Sequence, residues 1–244
     1  MSSTPADVAR RFRLRFWPTL ATLVGLAVLA ALGTWQLQRL AWKQDLIDRA
    51  EAQLAAAAAP VPAGPLDGLD FRRLSAQGTY LHGAAFAFGL TAVAGEPGAR
   101  LVTPLRLQDG RVILVDRGWL PQSLLPPNVP PGLQPRGLFT LEGIGRWRGG
   151  VARGWLAPAD SPGQRRWFNW DVPAIERATG LPLEPLELVL EASEGPAGLP
   201  RTERVEADFP NNHLGYALTW YGLAVSLLVI YILFSTAKPD AATP

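Results

Sequence analysis

The chain has 244 residues, with 23 Lys+Arg against 21 Asp+Glu, no cysteine, one methionine and two histidines. A net charge of +2 is too small for a nucleic-acid-binding surface, so the pI of about 9.3 reflects a slight imbalance only. Without cysteine there are no disulfides, thiolate metal sites or cysteine nucleophiles, and a thiolate or thioether copper carrier is excluded. Mean hydropathy is +0.09 despite 23 Pro and 24 Gly, so some segments must be strongly apolar.

Two are. Residues 16–38 form a run of 23 without a charge, and residues 209–237 a run of 29. A helix needs roughly 20 apolar residues to cross the hydrocarbon core, and no third stretch qualifies. The alternatives are a signal peptide for the first and a buried core helix for the second. The first exceeds the usual apolar length of a signal, about 7–15 residues, and the second is long and uniform for a core helix. Arg10, Arg11, Arg13 and Arg15 precede the first run, so positive charge places the N-terminus in the cytoplasm. Two spans return the C-terminus, with Lys238, to the same side. The sequence therefore divides into a basic tail (1–15), a first span (16–40), an extracytoplasmic domain (41–210), a second span (211–236) and a short tail (237–244). Trp17, Trp35, Tyr216, Trp220 and Tyr231 fall near the expected interfaces, as aromatic belts do.

The first helix is expected to run past the membrane, because Leu40, Ile47 and Leu54 recur on one face, and to stop before Pro60 and Pro62. Strand signals follow at 71–80 and 84–90 around an LHG turn. Segments 100–107 and 111–120 read as a hairpin turning at Asp109-Gly110. Alternation in that hairpin puts Ile113 and Val115 on one side and Val112 and Leu114 on the other. Gly118 reads as a position of close backbone approach or positive φ. Further strands are expected at 137–147 and 186–192, with a proline-rich surface loop before the first of them. Asp171 is placed to cap a short helix, VPAIERAT, that ends at Gly180. The fold class is a membrane protein: two transmembrane helices flanking a mostly antiparallel β (α+β) domain.

Catalytic motifs are missing. There is no phosphate-binding glycine loop and no nucleophile elbow. Acidic residues are spread out and each reads as a solvated surface charge. An enzyme is therefore not expected, although folding could still assemble a carboxylate site. His82, in the LHG turn, reads as an exposed turn histidine. His213 stands at the start of the second span. It reads either as a polar residue at the membrane edge or as a metal ligand, since neutral imidazole is a common one. Tyr216, Trp220 and Ala224 follow it at helical spacing. Antiparallel spans would set Gly33, Trp35, Gln36 and Arg39 beside them. That grouping suits a flat macrocycle with carboxylates, and it equally suits plain helix packing with an aromatic belt.

Four segments carry a resemblance: GTWQLQRLAWKQDLI (33–47), LVTPLRLQDGRVILVDRGWLP (101–121), WFNWDVPAI (167–175) and NNHLGYALTWYGLA (211–224). In this order, over nearly the whole chain, they resemble the Surf1 family. The resemblance implies a non-enzymatic assembly factor for haem–copper terminal oxidases, chiefly aa3-type cytochrome c oxidase. It implies binding of haem a and help in placing it in oxidase subunit I. The implied iron ligand is His213, with Tyr216 and Trp35 matching other family positions, and Gly78 and Arg117-Gly118-Trp119 matching family blocks. Trp220 would pack on the macrocycle, and Arg39 and Lys43 would pair with propionates. The implied partners are subunit I, haem a synthase and the lipid bilayer, with no nucleic acid. A chaperone that holds subunit I without cofactor is the alternative. Arginine outnumbers lysine 21 to 2, and only about 15 residues precede the first span, which points to a bacterial inner-membrane protein.

Overall fold

The computed structural model describes residues 14–150, 157–207 and 209–236. Arg10, Arg11, Arg13 and Lys238, which carry the orientation expectation, lie outside them. The chain forms two compact units. One comprises residues 1–47 with 208–244, the other Asp48–Ala207.

In the first unit, helix α1 begins at Phe16 and continues unbroken to Ala55, and a second long helix spans His213–Thr236. Both are long and apolar enough to cross a membrane. Pro18 sits in the first turn of α1, where a missing N–H costs nothing. Hydroxyls in these apolar helices bond to their own preceding turn: Thr19, Thr22 and Thr34 in α1, and Thr219, Ser226 and Thr236 in the other, each donate to the carbonyl four residues back. That pattern satisfies polar groups without leaving the helix, as a hydrocarbon environment requires.

The two helices pack antiparallel. The Thr19 and Tyr231 hydroxyls lie 2.6 Å apart, and those of Thr34 and Tyr221 3.0 Å apart. Lys43 donates to the Pro210 carbonyl. Small residues let the helices approach. A Cβ on Gly33 would stand 2.8 Å from the Tyr221 ring, and one on Gly25 2.9 Å from Leu227. Ala217 is buried.

The second unit is a β domain. Its strands are β1 (Ala59–Pro60), β2 (Arg73–Tyr80), β3 (Phe86–Val93), β4 (Glu96–Leu107), β5 (Val112–Pro121), β6 (Phe139–Trp147), β7 (Arg166–Trp167) and β8 (Leu183–Leu190). A short helix, α2 (Val172–Thr179), precedes β8; the second long helix is α3. The sheet closes on itself. Strand order β2–β6–β8–β5–β4 is completed by β4 pairing back to β2 at Gly78–Leu107, Thr79–Arg106 and Tyr80–Leu105. Four of the ring's five pairings are antiparallel, and β5–β8 is parallel. Closure requires Gly78: a Cβ there would meet the Arg106 carbonyl at 2.4 Å.

The barrel interior holds Leu74, Leu105, Ile113, Val115, Leu186 and Leu188, contributed by facing strands. Val112 and Leu114 point outward and are covered by Val172 and Ile175 of α2 with Trp167 and Trp170. The expected alternation in β5 is present. Both faces are apolar because α2 shields the outer one, and all ten residues of β5 are buried. The hairpin forms as expected: Gly110 adopts φ +89°, and Asp109 accepts from the Arg111 N–H at 3.0 Å. Asp171 caps α2 by accepting from the Ala174 N–H, and Gly180 ends it at φ +69°.

Helix α1 stops at Ala55, before Pro60 as expected, and Pro60 forms an edge pairing in β1 beside Leu74 and Ser75. An edge strand tolerates proline because its N–H is not needed. The proline-rich loop before β6 is not merely superficial, since Leu125 and Leu133 are buried against Leu101 and Leu120.

Candidate functional site

His213 is the first residue of α3 and half-buried. Its Nδ1 lies 2.7 Å from Oε1 of Gln36, a buried residue of α1. The Gln36 carbonyl accepts, so Nδ1 carries the proton and Nε2 is left as the lone-pair nitrogen. This is the arrangement by which metal-ligating histidines are usually oriented: one ring nitrogen donates to a fixed acceptor and the other faces the metal. The imidazole could therefore hold a metal through Nε2.

The remaining candidates distribute unevenly around it. Trp220 and Ala224 are half-buried on the face that carries His213, whereas Tyr216 is 58% exposed. Trp35 is 54% exposed; Gly33 and Gln36, its neighbours on α1, make the contacts to α3. The Arg39 guanidinium lies over the Trp42 ring, 3.8 Å from its centroid, a cation–π contact that screens it little from water. Lys43 is held by the Pro210 carbonyl. Among the described residues no three of His, Asp and Glu cluster as a metal site.

The β domain corrects two expectations. His82 is half-buried rather than freely exposed, with Nε2 2.7 Å from the Pro135 carbonyl and its ring 5.5 Å from that of Tyr80. Burial holds its pKa below the ordinary value. The acidic residues are not all solvated surface charges. Glu187 and Asp116 are buried, 1% and 3% exposed. Arg148 donates twice to Glu187, at 2.5 and 2.8 Å, and Arg100 pairs with Asp116. Burial, reinforced by Asp116, pushes Glu187 up to about 7 against the pull of Arg148. A third buried pair joins Arg117 Nε to Glu194 at 2.9 Å, and Glu194 also accepts from the Tyr80 hydroxyl. Burial keeps that phenol protonated far above its ordinary range. None of these pairs is local in sequence, so residue spacing carried no signal of them.

The SURF1 family model matches residues 23–225, which takes in part of each long helix and the whole barrel. The chain belongs to the SURF1 family. Similar SURF1 proteins include a SURF1-like protein of Monosiga brevicollis, 31% identical over 245 residues, covering 95% of this chain and 91% of that one. The Surfeit locus protein 1 of Homo sapiens is 30% identical over 213 residues, and that of Mus musculus 32% over 212. Each covers 80% of this chain, and the matched part is 70% and 68% of the respective relative. The SURF1 match thus includes Gln36 and His213 as well as the Arg117-Gly118-Trp119 block of β5.

Proposed function

We propose that this SURF1-family protein is a bacterial inner-membrane assembly factor for aa3-type cytochrome c oxidase. In this reading it holds haem a at the outer leaflet and helps to place it in subunit I, after receiving it from haem a synthase. Both termini are cytoplasmic and the barrel is periplasmic. The observation that carries the haem reading is the 2.7 Å contact of His213 Nδ1 with Gln36. It fixes the ring and directs the lone pair to Nε2, in a position at the end of two apolar helices. The haem would supply the iron that this lone pair binds. Trp220 offers an aromatic surface on the same helical face, and Tyr216 and Trp35 lie exposed on the two helices to flank a flat ligand. Arg39 and Lys43, one turn apart on α1, are the cations for propionates. The protein's part is to bind and orient.

The test is the protein purified in detergent after co-expression with haem a synthase. Wild type should carry a Soret band at stoichiometric level. His213→Ala should lose most of it while the barrel stays folded, since a half-buried imidazole adds little to the core. Gln36→Leu should retain haem less well and shift the band, because the ring loses its orienting acceptor, an effect of about 10-fold or more in affinity. Unchanged haem in His213→Ala would remove it as the ligand. A colourless wild type that still co-purifies with subunit I would favour a chaperone acting without cofactor.

A further inference from the structure

The barrel unit carries a cleft of about 260 Å³ lined by four arginines, Arg100, Arg146, Arg148 and Arg204. The buried carboxylates of Asp116 and Glu187 line it too. Neither carboxylate exhausts its arginine. Arg100 donates to Asp116 from Nε alone, and Arg148 reaches Glu187 from Nε and Nη2. Both Nη atoms of Arg100 and Nη1 of Arg148 therefore stay uncommitted among the described residues. These two side chains are 30% and 22% exposed, and none of the three nitrogens is closed off from solvent. Arg146, half-buried, and Arg204, exposed, pair with no carboxylate among the described residues. Trp170 holds Arg148 in place: the guanidinium lies 4.5 Å from its ring centroid, and Phe88 stacks on the same ring at 4.1 Å.

We infer that this cleft binds a phosphate group through the uncommitted guanidinium nitrogens of Arg100, Arg146 and Arg148, with Arg204 at the rim. Guanidinium groups match phosphate oxygens in fixed pairs, and Arg148 is already oriented by its stack and its ion pair. Charge favours a dianion. Asp116 and Glu187 offset two of the four cations, and the other lining carboxylates, Glu203 and Glu206, are exposed and screened by salt. A cavity of about 150 Å³ accepts benzene, so phosphate, which is no larger, fits here with room for the first atoms of an ester. Binding should also draw in a proton. Glu187 on β8 interacts with Asp116 on β5, Arg100 on β4, and Arg146 and Arg148 at the end of β6. Burial and Asp116 already push it up to about 7, and an anion beside it favours the neutral form further. Every residue named lies within Asp48–Ala207, so the inference stands apart from His213 and haem.

The experiment is calorimetric titration of the full chain in detergent with inorganic phosphate, with acetate as the monoanion control. Phosphate should bind one to one, and acetate should not. Arg146→Gln removes a cation that no carboxylate pairs with, and should weaken phosphate about tenfold or more, the effect of losing a hydrogen bond between charged groups. Arg204→Gln, on the exposed rim, carries the same test if that variant fails to fold. Arg106→Gln, an exposed arginine outside the cleft, should match wild type. Glu187→Gln should bind like wild type at pH 6 and about tenfold more tightly at pH 8, because wild type must first protonate Glu187 above its pKa of about 7. Comparing the two proteins at each pH cancels the titration of phosphate itself. Micelles containing phosphatidate, titrated in the same way, separate the sources. Binding of inorganic phosphate assigns the free ion; binding of phosphatidate alone, with the same loss in Arg146→Gln, assigns a lipid headgroup. Binding of neither overturns the inference. So do equal losses in Arg106→Gln and Arg146→Gln, equal binding of acetate, or a Glu187→Gln ratio that stays flat between pH 6 and pH 8.

Discussion

Replacing Gly118 with alanine should destabilise the barrel through two separate effects. Gly118 has φ +108°, a conformation that costs an L residue about 1–2 kcal/mol. A Cβ there would also lie 2.4 Å from the Arg201 carbonyl oxygen and 2.8 Å from its carbon. Arg201 cannot easily retreat, because its carbonyl accepts from the Trp119 N–H at 2.7 Å and its own N–H donates to Trp119 at 2.8 Å. Overpacking against fixed backbone typically costs about 1–3 kcal/mol. The two together come to about 2–5 kcal/mol, or a fall in Tm of roughly 5–20 °C for a domain of this size. Gly132→Ala is the matched control, since its added Cβ meets nothing within 4 Å; it should stay within about 0.5 kcal/mol of wild type. Thermal unfolding of both variants in detergent, followed by tryptophan fluorescence, decides the matter. A Gly118→Ala midpoint within 2 °C of wild type, to within the scatter expected of surface changes, would refute both the strain and the clash.

Glu187 titrates near 7 when folded and near 4.5 otherwise, so the fold favours its neutral form. Its contribution is complete below about pH 4.5 and is lost as pH rises through 7; wild type should therefore lose stability between pH 5 and pH 8, and Glu187→Gln should lose markedly less in the same thermal scans. Gly33→Leu should force α1 and α3 apart, because even its Cβ would sit 2.8 Å from the Tyr221 ring; with no native cysteine in the chain, a Gly25→Cys and Leu227→Cys pair reports this directly as a lower disulfide yield in membranes. Asp171→Ala should cost about 0.5–2 kcal/mol by removing the cap on Ala174, visible as a lower Tm with the haem measurement unchanged.

How much of this was legible depended on the range of the interaction. The Asp109-Gly110 hairpin, the Asp171 cap and the Gly180 stop are decided within a few residues, so composition and spacing announce them. The two long helices are announced by continuous apolarity. Barrel closure was hidden, because it rests on Gly78 pairing directly with Leu107 although β3 separates their strands along the chain, with no local signature beyond a glycine in an otherwise ordinary β pattern. The parallel β5–β8 pair was hidden because β5 is apolar on both faces and its partner cannot be inferred from alternation alone. Buried charges were misread for the same reason. Glu187 finds Arg148 from 39 residues away, and nothing at either position marks the pairing.

The same divide runs through the candidate sites. His213 could be singled out by its position at the head of an apolar helix, but its acceptor, Gln36, lies 177 residues earlier, and only folding shows that the ring is held by one nitrogen. The Arg117-Gly118-Trp119 block shows how little adjacency says about role. Trp119 donates from Nε1 to the Thr91 carbonyl at 3.0 Å and pairs its backbone with Arg201, a structural use. Gly118 exists in that form because the Arg201 carbonyl leaves no room for a side chain. Arg117 differs again: its Nε holds Glu194 at 2.9 Å, and its guanidinium lies over the Tyr80 ring, 4.8 Å from the centroid. Three consecutive positions thus serve three separate ends, an ion pair, a close backbone approach and a strand pairing, and only the folded chain tells them apart.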